Sequence, residues 1–159
     1  MENDPTILLV DDSDNDLLLM SLAFEKASFP GVLRIVHDGE EAIAYLEGRH
    51  PYSDRVRDPL PTLVLLDLNM PKKSGFGVLE WVRAHPTLRR LPIMVLTASM
   101  VSGDVERAFD LGANSFLVKP TRIEDLIVMI RSLREWLNFN HFPRLAEVPQ
   151  EELLITATS

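Results

Sequence analysis

Cysteine is absent from the chain, which removes disulfides, thiolate metal ligands and a cysteine nucleophile together. Long hydrophobic runs are absent too: none approaches the ~20 residues that a membrane helix needs. The first residues, MENDPTILLVDDS, carry neither a basic leader nor an extended apolar segment. No secretory signal is therefore expected, and the expected location is the cytoplasm. Positive charge is scarce, with 16 Lys and Arg against 24 Asp and Glu and a net charge of −8. Non-specific nucleic-acid binding needs clustered cations facing the phosphates, so that class is disfavoured, although one local basic face is compatible with an acidic whole. The four histidines (His37, His50, His85, His141) show no ligand spacing with one another.

What is present suits one folded domain. The 159 residues are 46% hydrophobic and 25% charged, enough apolar surface for a sizeable core and far from a disordered composition. Strand-length apolar runs occur at Ile7 to Val10, Val32 to Val36, Leu63 to Leu66, Ile93 to Leu96 and Phe116 to Val118. Runs that are apolar throughout, instead of alternating, fit strands buried on both faces. Between them lie stretches with helical spacing, at about 14–27, from Gly39 onward, 74–84, 102–111 and from Thr121 onward. The last of these places Ile123, Leu126, Ile127, Ile130, Leu133 and Leu137 on one stripe. Five strands alternating with five helices imply an α/β fold, a doubly wound parallel sheet covered on both faces. Two segments fall outside this alternation. Gly48 to Pro61 is a long polar connection, and the tail beyond Asn138 contains Pro143 and Pro149 and so cannot be one helix.

The chemistry collects at strand ends. Asp11 and Asp12 follow the first strand, Asp67 follows the third, Thr97 the fourth and Lys119 the fifth. Open parallel sheets bind ligands outside the carboxyl ends of their strands, where strand order reverses. Three carboxylates brought together there repel by roughly 3 kcal/mol per pair at ~5 Å in an effective dielectric of 20. They must raise one another's pKa or bind a cation. Oxygen ligands without sulfur or histidine select a hard ion, Mg²⁺ before Zn²⁺. Mg²⁺ keeps open positions for phosphoryl oxygens, Lys119 neutralises another, and the Thr97 hydroxyl donates to a third. Phosphoryl transfer requires mainly such positioning and charge neutralisation, with Asp67 as the nucleophile. Each residue alone has a plainer reading. Asp11 and Asp12 can cap a helix, Asp67 can open a turn, Thr97 is ordinary after a strand, and Lys119-Pro120 reads as a turn.

Together, LLVDDS at 8–13, LLDLNMPKKSGFGVL at 65–79, PIMVLTAS at 92–99 and GANSFLVKP at 112–120 resemble the bacterial two-component response regulator receiver family, over about residues 6 to 138. The resemblance implies a flavodoxin-like fold, with a receiver domain at 1–138 and a C-terminal extension at 139–159. It implies Asp67 as phosphoacceptor and a Mg²⁺ site built from Asp11, Asp12, Asp67 and the Asn69 carbonyl. Thr97 and Lys119 would contact the phosphoryl group, and Ala98 would leave space for the phosphodonor. Phe116 would be an aromatic switch, with an ordinary core phenylalanine as the alternative. Asn69 and Ser99 would tune phosphoryl lifetime, Gly75 would permit a tight turn, and the Lys119–Pro120 peptide would be cis.

A sensor histidine kinase is the implied phosphodonor. The 48–61 connection, the LNMPKK segment and the short extension are similar to those of the small regulators of phytochrome-type kinases. About 20 residues follow the fifth helix, too few for an output domain, so output is expected through protein contact. Candidates are a homodimer through the fourth and fifth helices, where Val128, Met129, Trp136 and Phe139 extend the apolar surface, or a downstream phosphotransfer protein. Two competing classes share the same residues. One is a Mg²⁺-dependent phosphatase with an aspartyl-phosphate intermediate, disfavoured because Asn69 cannot serve as its acid/base group. The other is a phosphorylation-independent scaffold, which would gain nothing from clustered carboxylates. A phosphoacceptor of this kind is not expected to be a turnover enzyme.

Overall fold

The computed structural model describes residues 4–98 and 100–145. Five strands, β1 (Thr6–Val10), β2 (Val32–Val36), β3 (Leu63–Leu66), β4 (Ile93–Thr97) and β5 (Ser115–Val118), alternate with five helices. The helices are α1 (Asp14–Lys26), α2 (Gly39–Glu47), α3 (Gly75–Ala84), α4 (Asp104–Asp110) and α5 (Ile123–Phe139). The strands form one parallel sheet in the order β2-β1-β3-β4-β5. Strand order reverses between β1 and β3, so a crevice opens at their carboxyl ends.

The apolar runs divide by parity between two layers. Leu8, Val10, Val64, Leu66 and Val95 face a core closed by α2, α3 and α4. Ile7, Leu9, Leu63, Leu65 and Leu96 face a second core closed by α1 and α5. Both faces of β1, β3 and β4 are covered, so every position of these strands is buried and all but Thr6 and Thr97 are apolar; each such leucine contributes about 1.5–3 kcal/mol of burial. The edge strands differ. Only Val36 of β2 is buried, and no residue of β5 is.

Local chemistry sets the helix ends. Ser13, Asp38 and Ser74 each cap a helix, accepting from Asp16 N, Glu41 N and Gly77 N. Helix α4 starts at Asp104, later than its periodicity suggests, because Gly103 precedes it in the left-handed region (φ 88°). The 48–61 connection is tied down. Arg55 donates to the carbonyls of Tyr45, Leu46 and Asp58, and Tyr45 Oη donates to the Pro59 carbonyl. Beyond α5, Phe142 packs edge-on against Trp136 at 5.9 Å between ring centres. Val128 and Phe139 stay exposed. Most of the expected C-terminal extension, residues 146–159, lies outside the described residues. Among those described, the one cis peptide precedes Pro51; the Lys119–Pro120 peptide, expected cis, is not. No helix among them is long and apolar enough to cross a membrane.

Candidate functional site

Strand register brings the acids together. Val10 pairs with both Val36 and Leu66. The ladder then runs one residue further, with Asp11 N donating to the Val36 carbonyl and Asp67 N to the Val10 carbonyl. Asp11 and Asp67 are therefore neighbours at the crevice, and Asp12 is one residue beyond. One carboxylate oxygen from each of the three lies within 4.8 Å of the others. On the other side, Thr97 pairs with Val118, and Lys119 N donates to the Thr97 carbonyl. Lys119 thus enters beside the acids.

Burial differs among them. Asp11, Asp67, Thr97 and Lys119 are buried, whereas Asp12 and Asn69 are exposed. Asp11 divides its carboxylate: Oδ1 accepts from Ser13 N at 2.9 Å, and Oδ2 accepts from Lys119 Nζ. Capping of α1 falls to Ser13, while Asp11 fixes the turn leading into it. Asp67 Oδ1 accepts a long bond from Asn69 N at 3.4 Å, and Asp67 Oδ2 stands 3.6 Å from Lys119 Nζ. Burial raises the Asp67 pKa first; Lys119 opposes the rise and Asp11 adds to it. Desolvation outranks the mutual repulsion on which the sequence reasoning leaned. Burial alone would lower the Lys119 pKa, but its hydrogen bonds to Asp11 and Asp16 and the Asp67 charge outweigh it and the net direction is upward.

Thr97 Oγ1 is buried and makes no hydrogen bond of ordinary distance and angle among the described residues, although it lies close enough to Asp67 to favour that carboxylate's charged form. A buried hydroxyl left unpaired costs about 1–3 kcal/mol, and Asp67 and Lys119 flank it through the sheet register. An acidic trio of oxygen donors, a buried ammonium and an unpaired hydroxyl fit a divalent ion with a phosphoryl group. Gly75 serves the site by close approach: a Cβ there would lie 2.2 Å from the Asp67 carbonyl oxygen. Gly75 N donates to the Leu68 carbonyl at 3.0 Å, closing the turn out of β3.

Ala98 and Phe116 are the remaining expected residues among those described. Ala98 is exposed and lines a recess of about 210 Å³ together with Asp16, Lys119 and Pro120. Phe116 is half-buried on β5 against the α2–α4 core. Ser99 lies outside the described residues. One residue escaped the sequence reasoning: Asp16, on the first turn of α1, accepts from Lys119 Nζ at 2.9 Å. Its only sequence signal is an acid near a helix N-terminus, which ordinarily complements the helix dipole and carries no site information.

A model described as the response regulator receiver domain matches residues 7–131. The response regulator Rcp1 of Synechocystis is 37% identical over 132 residues, covering 82% of this chain and 88% of its own. Solved structures are similar as well. The phosphorylated cyanobacterial phytochrome response regulator RcpA superposes with a TM-score of 0.79 at 34% identity, over 88% of this chain and 99% of its own. RPA3017, described as acting in red light signalling of R. palustris, superposes with a TM-score of 0.82 at 39% identity, over 87% and 98%. A Mn²⁺-bound form of Rcp1 superposes with a TM-score of 0.76 at 36% identity, over 87% and 99%.

Proposed function

The chain belongs to the response regulator receiver family, and from that premise we propose that it is a phosphorylation-dependent switch whose phosphoacceptor is Asp67. The observation that carries this reading is the meeting of the Asp11, Asp12 and Asp67 oxygens within 4.8 Å, with the buried Lys119 ammonium against two of them.

Asp11, Asp12 and Asp67, with the Asn69 carbonyl, would hold Mg²⁺. When bound, that ion neutralises charge on the acids and on the phosphoryl oxygens. A carboxylate oxygen of Asp67 attacks phosphorus; the new P–O bond forms as the P–N bond of a phosphohistidine breaks, and the imidazole leaves with a proton from solvent. Lys119 neutralises one phosphoryl oxygen. Thr97 gains through that group the partner its hydroxyl lacks. That inward pull on Thr97 is the coupling by which Phe116, on the neighbouring strand β5 and paired with Val95 two residues before Thr97, would change position. Exposed Ala98 keeps the approach open.

The phosphodonor in this reading is a sensor histidine kinase of the phytochrome type, in keeping with what RcpA and RPA3017 are described as. Output passes by protein contact from a cytoplasmic protein with a receiver domain at 1–138 and an extension at 139–159. It proceeds through a homodimer at α4 and α5 or through a downstream phosphotransfer protein. Sedimentation that finds only monomer, with and without phosphorylation, would exclude the dimer.

Incubation with Mg²⁺ and acetyl phosphate tests the core of the reading. The expected result is one base-labile phosphoryl group per chain, absent in Asp67→Asn. Many turnovers on a phosphorylated metabolite would instead indicate a phosphatase, and no uptake by the parent would favour a scaffold.

A further inference from the structure

Lys119 is held from two sides. On one side its ammonium donates to Asp11 Oδ2 and stands 3.6 Å from Asp67 Oδ2. On the other it donates to Asp16 Oδ2 at 2.9 Å. The lysine and Asp11 side chains are almost fully buried, while the Asp16 side chain is 31% exposed at the rim. Asp16 is not needed as a helix cap, because Ser13 already caps α1 by accepting from Asp16 N.

An ammonium and a divalent cation compete for the same carboxylate oxygens. Asp11 and Asp67 both attract Lys119, and both belong to the trio able to hold a metal ion. With attractors on that side alone, the ammonium would settle between Asp11 and Asp67, over the oxygens the ion needs. Asp16 supplies the opposing pull, from a different element, four residues beyond Asp12 in the chain.

We propose that Asp16 is a positioning residue for Lys119, drawing its ammonium toward α1 so that the divalent-ion position between the three acids stays open and the lysine stays anchored when Asp11 turns to the ion. This rests on the reading of Asp67 as a phosphoacceptor at a divalent-cation site. Lysine has three N–H donors. Asp11 and Asp16 each accept one, and the third remains for the group arriving at Asp67. An Asp16 that merely completed the helix dipole would add a negative field to the site without controlling where Lys119 sits.

A double-mutant cycle in Mg²⁺ affinity, read by titration calorimetry, separates the two roles. Asp16→Asn keeps the size and removes the charge. It is expected to weaken Mg²⁺ binding about 10-fold in the parent background, about 1.4 kcal/mol. In a Lys119→Met background, where no ammonium competes, the same substitution retains only its field effect. The loss should then be at least about 5-fold smaller, a coupling typical of residues in contact. If Lys119→Met does not fold, Lys119→Gln carries the same comparison. Equal losses in both backgrounds would overturn the positioning role while leaving the phosphoacceptor reading intact. A parent protein that neither binds Mg²⁺ nor takes up phosphate from acetyl phosphate would overturn the functional reading itself.

Discussion

Substitution of Asp12 by Asn isolates the electrostatic tension of the site. Asp12 has no ion pair among the described residues, so the change removes repulsion without removing an attraction. Its carboxylate lies within 4.8 Å of Asp11 and Asp67. The Asp11–Asp12 repulsion persists in part in the unfolded chain, because the two are sequence neighbours; the contribution specific to the fold is Asp12 against Asp67. At 4.8 Å that pair repels by about 0.9 kcal/mol in a water-like dielectric and about 3.5 kcal/mol in an effective dielectric of 20. Asp12 is exposed and Asp67 buried, so the value falls toward the lower end. A gain of about 1–2 kcal/mol in metal-free stability is expected, or about 2–8 °C in Tm for a domain of this size. Mg²⁺ reverses the ranking. At 100 times its dissociation constant an ion stabilises the parent by about 2.7 kcal/mol, and a variant lacking one of the carboxylates should gain less than half of that. Scanning calorimetry with chelator and then with saturating Mg²⁺ reads both effects. A variant no more stable than the parent without metal would refute the repulsion reasoning. Equal Mg²⁺ shifts would show that Asp12 is not a ligand.

Asp67→Asn should reveal a pH-dependent gain in the metal-free state. The folded Asp67 pKa lies above its ordinary 3.8, so the folded protein retains a proton that the unfolded chain has already released. That contribution to stability is complete below 3.8 and is lost as pH rises through the raised value. The advantage of the Asn variant should therefore grow with pH across that window in chemical denaturation; an advantage independent of pH would contradict it. Arg83→Ala should cost about 3 kcal/mol, since charged-donor hydrogen bonds contribute about 1.5–3 kcal/mol each but do not add fully. Its guanidinium donates at 2.9 Å to the Gly112 carbonyl, at 2.9 and 2.7 Å to those of Arg89 and Leu91, and at 3.0 Å to Asn114 Oδ1. Urea unfolding with a loss under about 1 kcal/mol, less than a single charged-donor hydrogen bond contributes, would show that these bonds are replaced by water.

The fold class was legible because its signal is local. Apolar runs of strand length and stripes of helical spacing record which faces are covered, and β1, β3 and β4 are buried throughout, and apolar except at Thr6 and Thr97, because helices cover both sides. Edge strands β2 and β5 are far less buried, and β2 carries Arg34 at its centre while β5 opens on Ser115; which strands lie at the edge follows from sheet order. The positions of Asp11, Asp12, Asp67, Thr97 and Lys119 at strand ends were also readable, since each directly follows an apolar run.

What the sequence determined alone was the set of elements and the chemical types waiting at their ends, because hydrophobic period and strand termination depend only on neighbours along the chain. Tertiary structure decided the distances and the partners. It put the three acids within 4.8 Å of one another, left Thr97 Oγ1 buried without a well-formed hydrogen bond among the described residues, and placed Asp16 on Lys119, 103 residues away. These facts depend on register between strands and on the angle at which α1 packs over them. Both are set by long-range contacts that no local pattern encodes.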